Sequence, residues 1–149
     1  MKLEHSLALH ESSHVTWLLL QHADAVVTVT CEEDSLITIS SKPPGSFEEL
    51  LCEMLAGAVG ERVYAGEFAK VFASGGWQAV MATEAARLDL EQLSKFAGLT
   101  ELSGALDSAC QRVAAGLAGQ IHPDLITRVA EISEPGMQAS FRNKQRVTH

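Results

Sequence analysis

Apolar and polar positions follow two different periods along this chain. From about Leu3 to Gln21 neither Gly nor Pro occurs, and Leu7, Val15, Leu18 and Leu19 recur at helical spacing, so the chain opens with a helix. Residues 25 to 40 change period. Ala25-Val26-Val27-Thr28-Val29-Thr30 and Leu36-Ile37-Thr38-Ile39-Ser40 are β-branched and alternate around the acidic turn Glu32-Glu33-Asp34-Ser35. This pattern predicts a β-hairpin with Val27 and Val29 on one face, Ile37 and Ile39 on the matching face of the partner strand, and the threonines toward solvent.

Pro43-Pro44-Gly45 interrupts the chain, and Ser46 with Glu49 forms an S-x-x-E capping box that opens a second helix through Leu50, Leu51, Met54, Leu55 and Val59, ending at Gly66. A third helix is expected from about Ser74 through Met81, Ala85, Leu88 and Leu93 to about Phe96, with Gly98 as its stop. Two more are read at Leu99 to Gly119 and Pro123 to Ser133, the latter with proline in its first turn. The predicted class is α+β, mostly helical with one short β-hairpin. Residues 1–136 form one domain, and 137–149 a polar, flexible C-terminal tail.

Composition narrows the function classes. The 149 residues are 46% apolar and 20% charged, ordinary for a globular protein, and the length suits a single core. Eleven Lys and Arg against nineteen Asp and Glu give a net charge of -8, which disfavours nucleic-acid and anionic membrane partners. Cys31, Cys52 and Cys110 are odd in number and lack C-x-x-C spacing, so neither a disulfide framework nor a thiolate zinc site is expected. With no membrane span or signal peptide in view, the expected location is cytoplasmic.

The chemistry lies in His10-Glu11-Ser12-Ser13-His14, an H-E-x-x-H inside the first helix. Histidines at i and i+4 share a helical face and can ligate one zinc ion, while the adjacent glutamate reaches a water on the metal without itself being a ligand. On this reading zinc acidifies the water, Glu11 takes its proton as general base, and the same glutamate hands the proton to the departing amine of a peptide. For a chain of this composition a chance match is on the order of 0.02. His5, His22, His122 and His149 do not share the spacing and read as ordinary polar residues.

Two later stretches extend the pattern. Leu55-Ala56-Gly57-Ala58-Val59-Gly60-Glu61-Arg62-Val63-Tyr64-Ala65-Gly66 and then Ser74-Gly75-Gly76-Trp77-Gln78-Ala79-Val80-Met81-Ala82-Thr83-Glu84-Ala85-Ala86-Arg87 follow the motif. In order and character all three resemble the peptidase domain of the FtsH family, over about residues 7 to 96. There H-E-x-G-H precedes L-x-G-R-x-A-E-x-x-x-x-G and T-G-A-x-N-D-L-x-x-A-T-x-x-A-R. The resemblance implies a zincin-like fold, a zinc cofactor and a metallopeptidase acting on polypeptide. Ser13 stands where the family has glycine. Aligning Ala82-Thr83-Glu84 puts Gln78 where the family has its third ligand, an aspartate. Gln78 is thus the first choice for that ligand beside His10 and His14. Glu61 is the second, with orienting a ligating histidine from behind as its preferred role; Glu84, about 240° around the helix from Gln78, ranks lower.

FtsH proteins join this domain to a membrane anchor and an AAA ATPase. This sequence contains no G-x-x-x-x-G-K-[ST] and no Gly-Lys pair, so cleavage is expected to be limited to flexible or unfolded polypeptide unless a separate ATPase delivers the substrate. The resemblance leaves room for self-association. The neutral Gln78 motivates one rival reading, a catalytically weakened binding or regulatory module.

Overall fold

Two long helices, α1 (Lys2–Gln21) and α2 (Phe47–Tyr64), pack against one another, and the rest of the chain is arranged around that pair. The computed structural model describes residues 2–33, 35–95 and 101–143, with side chains from His5 onward. The elements between and after the two helices are β1 (Val26–Glu32), β2 (Ser35–Ser40), α3 (Phe68–Val80), α4 (Arg87–Ser94), α5 (Ser103–Leu117), α6 (Pro123–Ala130) and β3 (Gln138–Arg142). α5 lies against α2, and α6 against α1.

The apolar side chains that mark the helices in the sequence form one core. Val15, Trp17 and Leu18 of α1 join Leu51, Leu55 and Val59 of α2 and Leu106, Val113 and Leu117 of α5, all buried. Each fully buried leucine contributes about 1.5–3 kcal/mol relative to an exposed one. The Ser46 side chain accepts the Glu49 N–H at 3.1 Å, as the capping box requires, and the Glu49 carboxylate accepts the Gly45 N–H at 2.8 Å. Gly66 follows α2 at φ 73°, a conformation that favours glycine. Gly98 and Leu99, expected at a helix stop and a helix start, lie outside the described residues.

Three expectations are corrected. The helix expected from Ser74 to Phe96 is two helices, because Arg62 of α2 reaches across and takes the carbonyls that would continue the first. Its guanidinium donates to the carbonyls of Val80 at 3.3 Å, Ala79 at 3.0 Å and Ala82 at 3.3 Å. The chain turns over residues 81–86 and restarts as α4.

Second, the flexible tail expected from residue 137 is, over Gln138–Arg142, the third strand of an antiparallel sheet of order β2-β1-β3. Phe141 lies opposite Val27 and is buried, with the Arg128 guanidinium 4.7 Å from its ring centre. A five-residue strand with one buried aromatic side chain carries little hydrophobic pattern of its own. Its pairing with β1 supplies what the sequence does not advertise.

Third, the hairpin register reverses the expected face of β2. Val27 pairs with Ser40 and Val29 with Thr38, whereas Ile37 and Ile39 pair with Thr30 and Thr28. Directly paired residues share a face, so the isoleucines stand with the threonines on the outer side, 37% and 63% exposed, while Thr38 stands beside Val29 on the inner side. A one-residue offset inverts a whole strand. Here it turns a hydroxyl toward α1.

Candidate metal centre

α1 carries the two histidines, and its close approach to α2 gives them their setting. Gly57 of α2 faces them, and Gly60 faces Ser13 between them. A Cβ on Gly57 would lie 2.3 Å from His10 Nε2 and 2.6 Å from His14 Nε2, and one on Gly60 would lie 2.0 Å from Ser13 Oγ. The glycine that the sequence lacks at Ser13 is thus compensated from the opposite helix: Gly60 makes the room, and Ser13 donates to the Leu9 carbonyl at 2.8 Å. We expect Gly57→Ala to cost about 1–3 kcal/mol through overpacking and, if the centre takes zinc, to weaken that binding by displacing both rings. Denaturant melts and zinc titrations check this, and wild-type values for both would refute it.

Across from the histidines, α4 places Asp89. Its Oδ2 lies 2.7 Å from His10 Nε2 and 3.0 Å from His14 Nε2, and the two nitrogens are 3.3 Å apart. Three donor atoms so close together, one on each of three side chains, can share a cation. A tetrahedral ion with bonds of about 2.0–2.2 Å needs its donors about 3.3–3.6 Å apart, so Asp89 Oδ2, 2.7 and 3.0 Å from the two nitrogens, must draw back by a fraction of an ångström. Two imidazoles and one carboxylate are a donor set that suits zinc, with further positions left for water or substrate.

Behind His10, Nδ1–H donates to Glu61 Oε2 at 2.8 Å, and Thr83 Oγ1–H donates to the same oxygen at 3.0 Å. This fixes the tautomer that leaves Nε2 free for a metal. Glu61 therefore orients His10 from behind. Beside the donors, the Glu11 carboxylate is buried, with Oε2 3.9 Å from His10 Nε2, and its Oε1 accepts from Thr38 Oγ1 at 2.7 Å. Thr38 is the hydroxyl that the hairpin register turned inward.

The expected third ligand, Gln78, is corrected. It is exposed on α3 and does not line the pocket that holds His10, His14 and Asp89. α3 is itself kinked at Gly75 and Gly76, just before Gln78, and the break after Val80 lets α4 bring Asp89 to the histidines instead, neither of which a continuous helix from Ser74 could foresee. Glu84, on the turn that follows, is exposed as well. One signal was available for Asp89, since it is the only aspartate between Asp34 and Asp107.

The site is strongly charged when no metal is bound. Burial alone would lower the His10 imidazole, but hydrogen bonds to Asp89 and Glu61 and the nearby charge of Glu11 outweigh it and raise it to about 10. His14 is raised too, burial again being overcome, here by the charge and hydrogen bond of Asp89. Desolvation would raise Asp89, yet the two histidines hold it well below the usual carboxylate range. Ligation needs neutral imidazoles, so a cation entering this centre displaces protons.

The pocket around these groups has a volume of about 420 Å³. Its walls include Ser35, Leu36, Ile37 and Thr38 of β2, Glu53 and Met54 of α2, and Leu88 of α4. No family model, curated protein or solved structure matches the chain. Among the described residues, no helix is long and apolar enough to cross a membrane.

Proposed function

We propose that this chain is a zinc-dependent metallopeptidase akin to the FtsH peptidase domain, with His10, His14 and Asp89 as the protein ligands and Glu11 as the general base. One observation carries the reading: three donor atoms lie 2.7–3.3 Å apart, with a glutamate held beside them by Thr38. Zinc bound there supplies an acidified water and a Lewis acid for a substrate carbonyl.

The chain's own residues supply the rest. Glu61 keeps the His10 Nδ1 proton in place, so His10 presents Nε2 as a donor. Glu11 takes the proton from the attacking water and returns it to the amine leaving group. Thr38 occupies one Glu11 oxygen, leaving the other to face the reacting centre. Because Asp89 supplies the carboxylate that Gln78 could not, the motive for the binding-module reading falls away.

β2 lies at a sheet edge, and its residues 35–38 line the pocket. An extended polypeptide added alongside β2 would run past the donors, which suits flexible or unfolded chains as substrate. The test is zinc content of the purified protein together with cleavage of a reduced, unfolded protein before and after chelation. Cleavage that disappears with the chelator and returns with zinc supports the proposal. Bound zinc with no cleavage of unfolded chains would restore the binding module, and failure to bind zinc would end both readings.

A further inference from the structure

The acidic face of α2 and the end of α1 meet at a second group of donors. Glu49 and Glu53 stand at i and i+4, one above the other on α2, and His22 follows the last residue of α1. One donor atom from each of the three lies within 4.8 Å of the other two. Like charges at this helical spacing repel, so the arrangement costs stability unless something cationic lies between the carboxylates.

His22 answers part of that need, since its Nε2 contacts Glu49 Oε1. The other oxygen of Glu49 is engaged by the Gly45 N–H at the helix cap, which fixes the carboxylate with Oε1 toward the histidine. Glu53 is not answered. Its Oε2 is out of contact with solvent and has no hydrogen-bond partner among the described residues. Leaving an acceptor of this kind without a partner opposes folding. An ordinary His22–Glu49 ion pair needs no third carboxylate and gives no reason for holding one beside it.

We propose that His22, Glu49 and Glu53 form a second divalent-cation site, separate from the pair of histidines on α1. Its donors, one imidazole and two carboxylates, suit a transition ion such as zinc, and the two negative charges balance a divalent ion. Calcium, which takes oxygen donors only, is the wrong class. Glu53 also lines the pocket that holds His14 and Asp89, so the second cation sits at the margin of the same cavity.

Zinc titrated into metal-free protein tests this, with binding stoichiometry as the readout and calcium as the control ion. Wild type is expected to take up two equivalents, the His22→Gln/Glu53→Gln double variant one, and the His10→Ala/His14→Ala double variant one. Glu49 is left intact because it also caps α2. Glu53→Gln alone, which removes only a charge, should weaken the second equivalent beyond the ~10–100-fold typical of an outer-shell change. The proposal is overturned if the His22→Gln/Glu53→Gln variant, folded by circular dichroism, binds as many equivalents as the wild type. Were His10→Ala/His14→Ala to leave the stoichiometry unchanged while His22→Gln/Glu53→Gln lowered it, the second site would stand and the first would fall.

Discussion

Replacing Glu11 by Gln is expected to abolish peptide cleavage while leaving zinc bound. The glutamine keeps the size of the side chain and a carbonyl oxygen for the Thr38 hydroxyl, so the packing beneath β2 is retained. What is lost is the ability to take a proton. General-base removal costs about 10²–10⁴-fold in rate, and the loss should fall on kcat, with KM little changed, because Glu11 acts only as the bond is made. Zinc content, measured on the same preparation, separates this outcome from simple loss of the metal. If Glu11→Gln cleaves at the wild-type rate, Glu11 is not the base and the proposed mechanism is wrong.

The second large effect is expected at Asp89. Asp89→Ala removes the only carboxylate among the three converging donors and leaves two imidazoles facing one another across 3.3 Å. Zinc affinity should fall by more than the ~10–100-fold that follows loss of an outer-shell partner, and activity should go with it. Gln78→Ala is the matched control: Gln78 is exposed on α3 and outside the pocket, so affinity and rate should stay at wild-type values. A competition titration against a chelator of known strength reads both. The reverse pattern, Gln78→Ala losing zinc and Asp89→Ala keeping it, would return the third ligand to the position suggested by the sequence pattern.

That contrast marks where the sequence is legible. The meeting of His10 and His14 was readable because a helix of fixed pitch converts spacing into direction, so local geometry alone brings the histidines to one face. The capping box at Ser46 and the start of α2 were readable for the same reason, since their bonds join neighbours in the chain. Asp89 depended on a turn at 81–86 held by Arg62 from another helix, and no local pattern records that. The inward face of Thr38 hinged on a strand register, which the alternation of residues 36–40 leaves open by one step. β3 needed a partner more than a hundred residues away.

Glu61 and Arg62 are adjacent, and each ties a different part of the site to α2. Glu61 holds His10 and Thr83, while Arg62 holds the carbonyls that end α3. The donors that meet at the centre are separated by up to 79 residues, so their encounter requires closure of a long loop before any bond rewards it. The α1–α2 pair can form first, from a nearer part of the chain. The candidate centre is then among the last features to assemble as the protein folds, and it is completed only when the segment after α3 has docked onto those two residues.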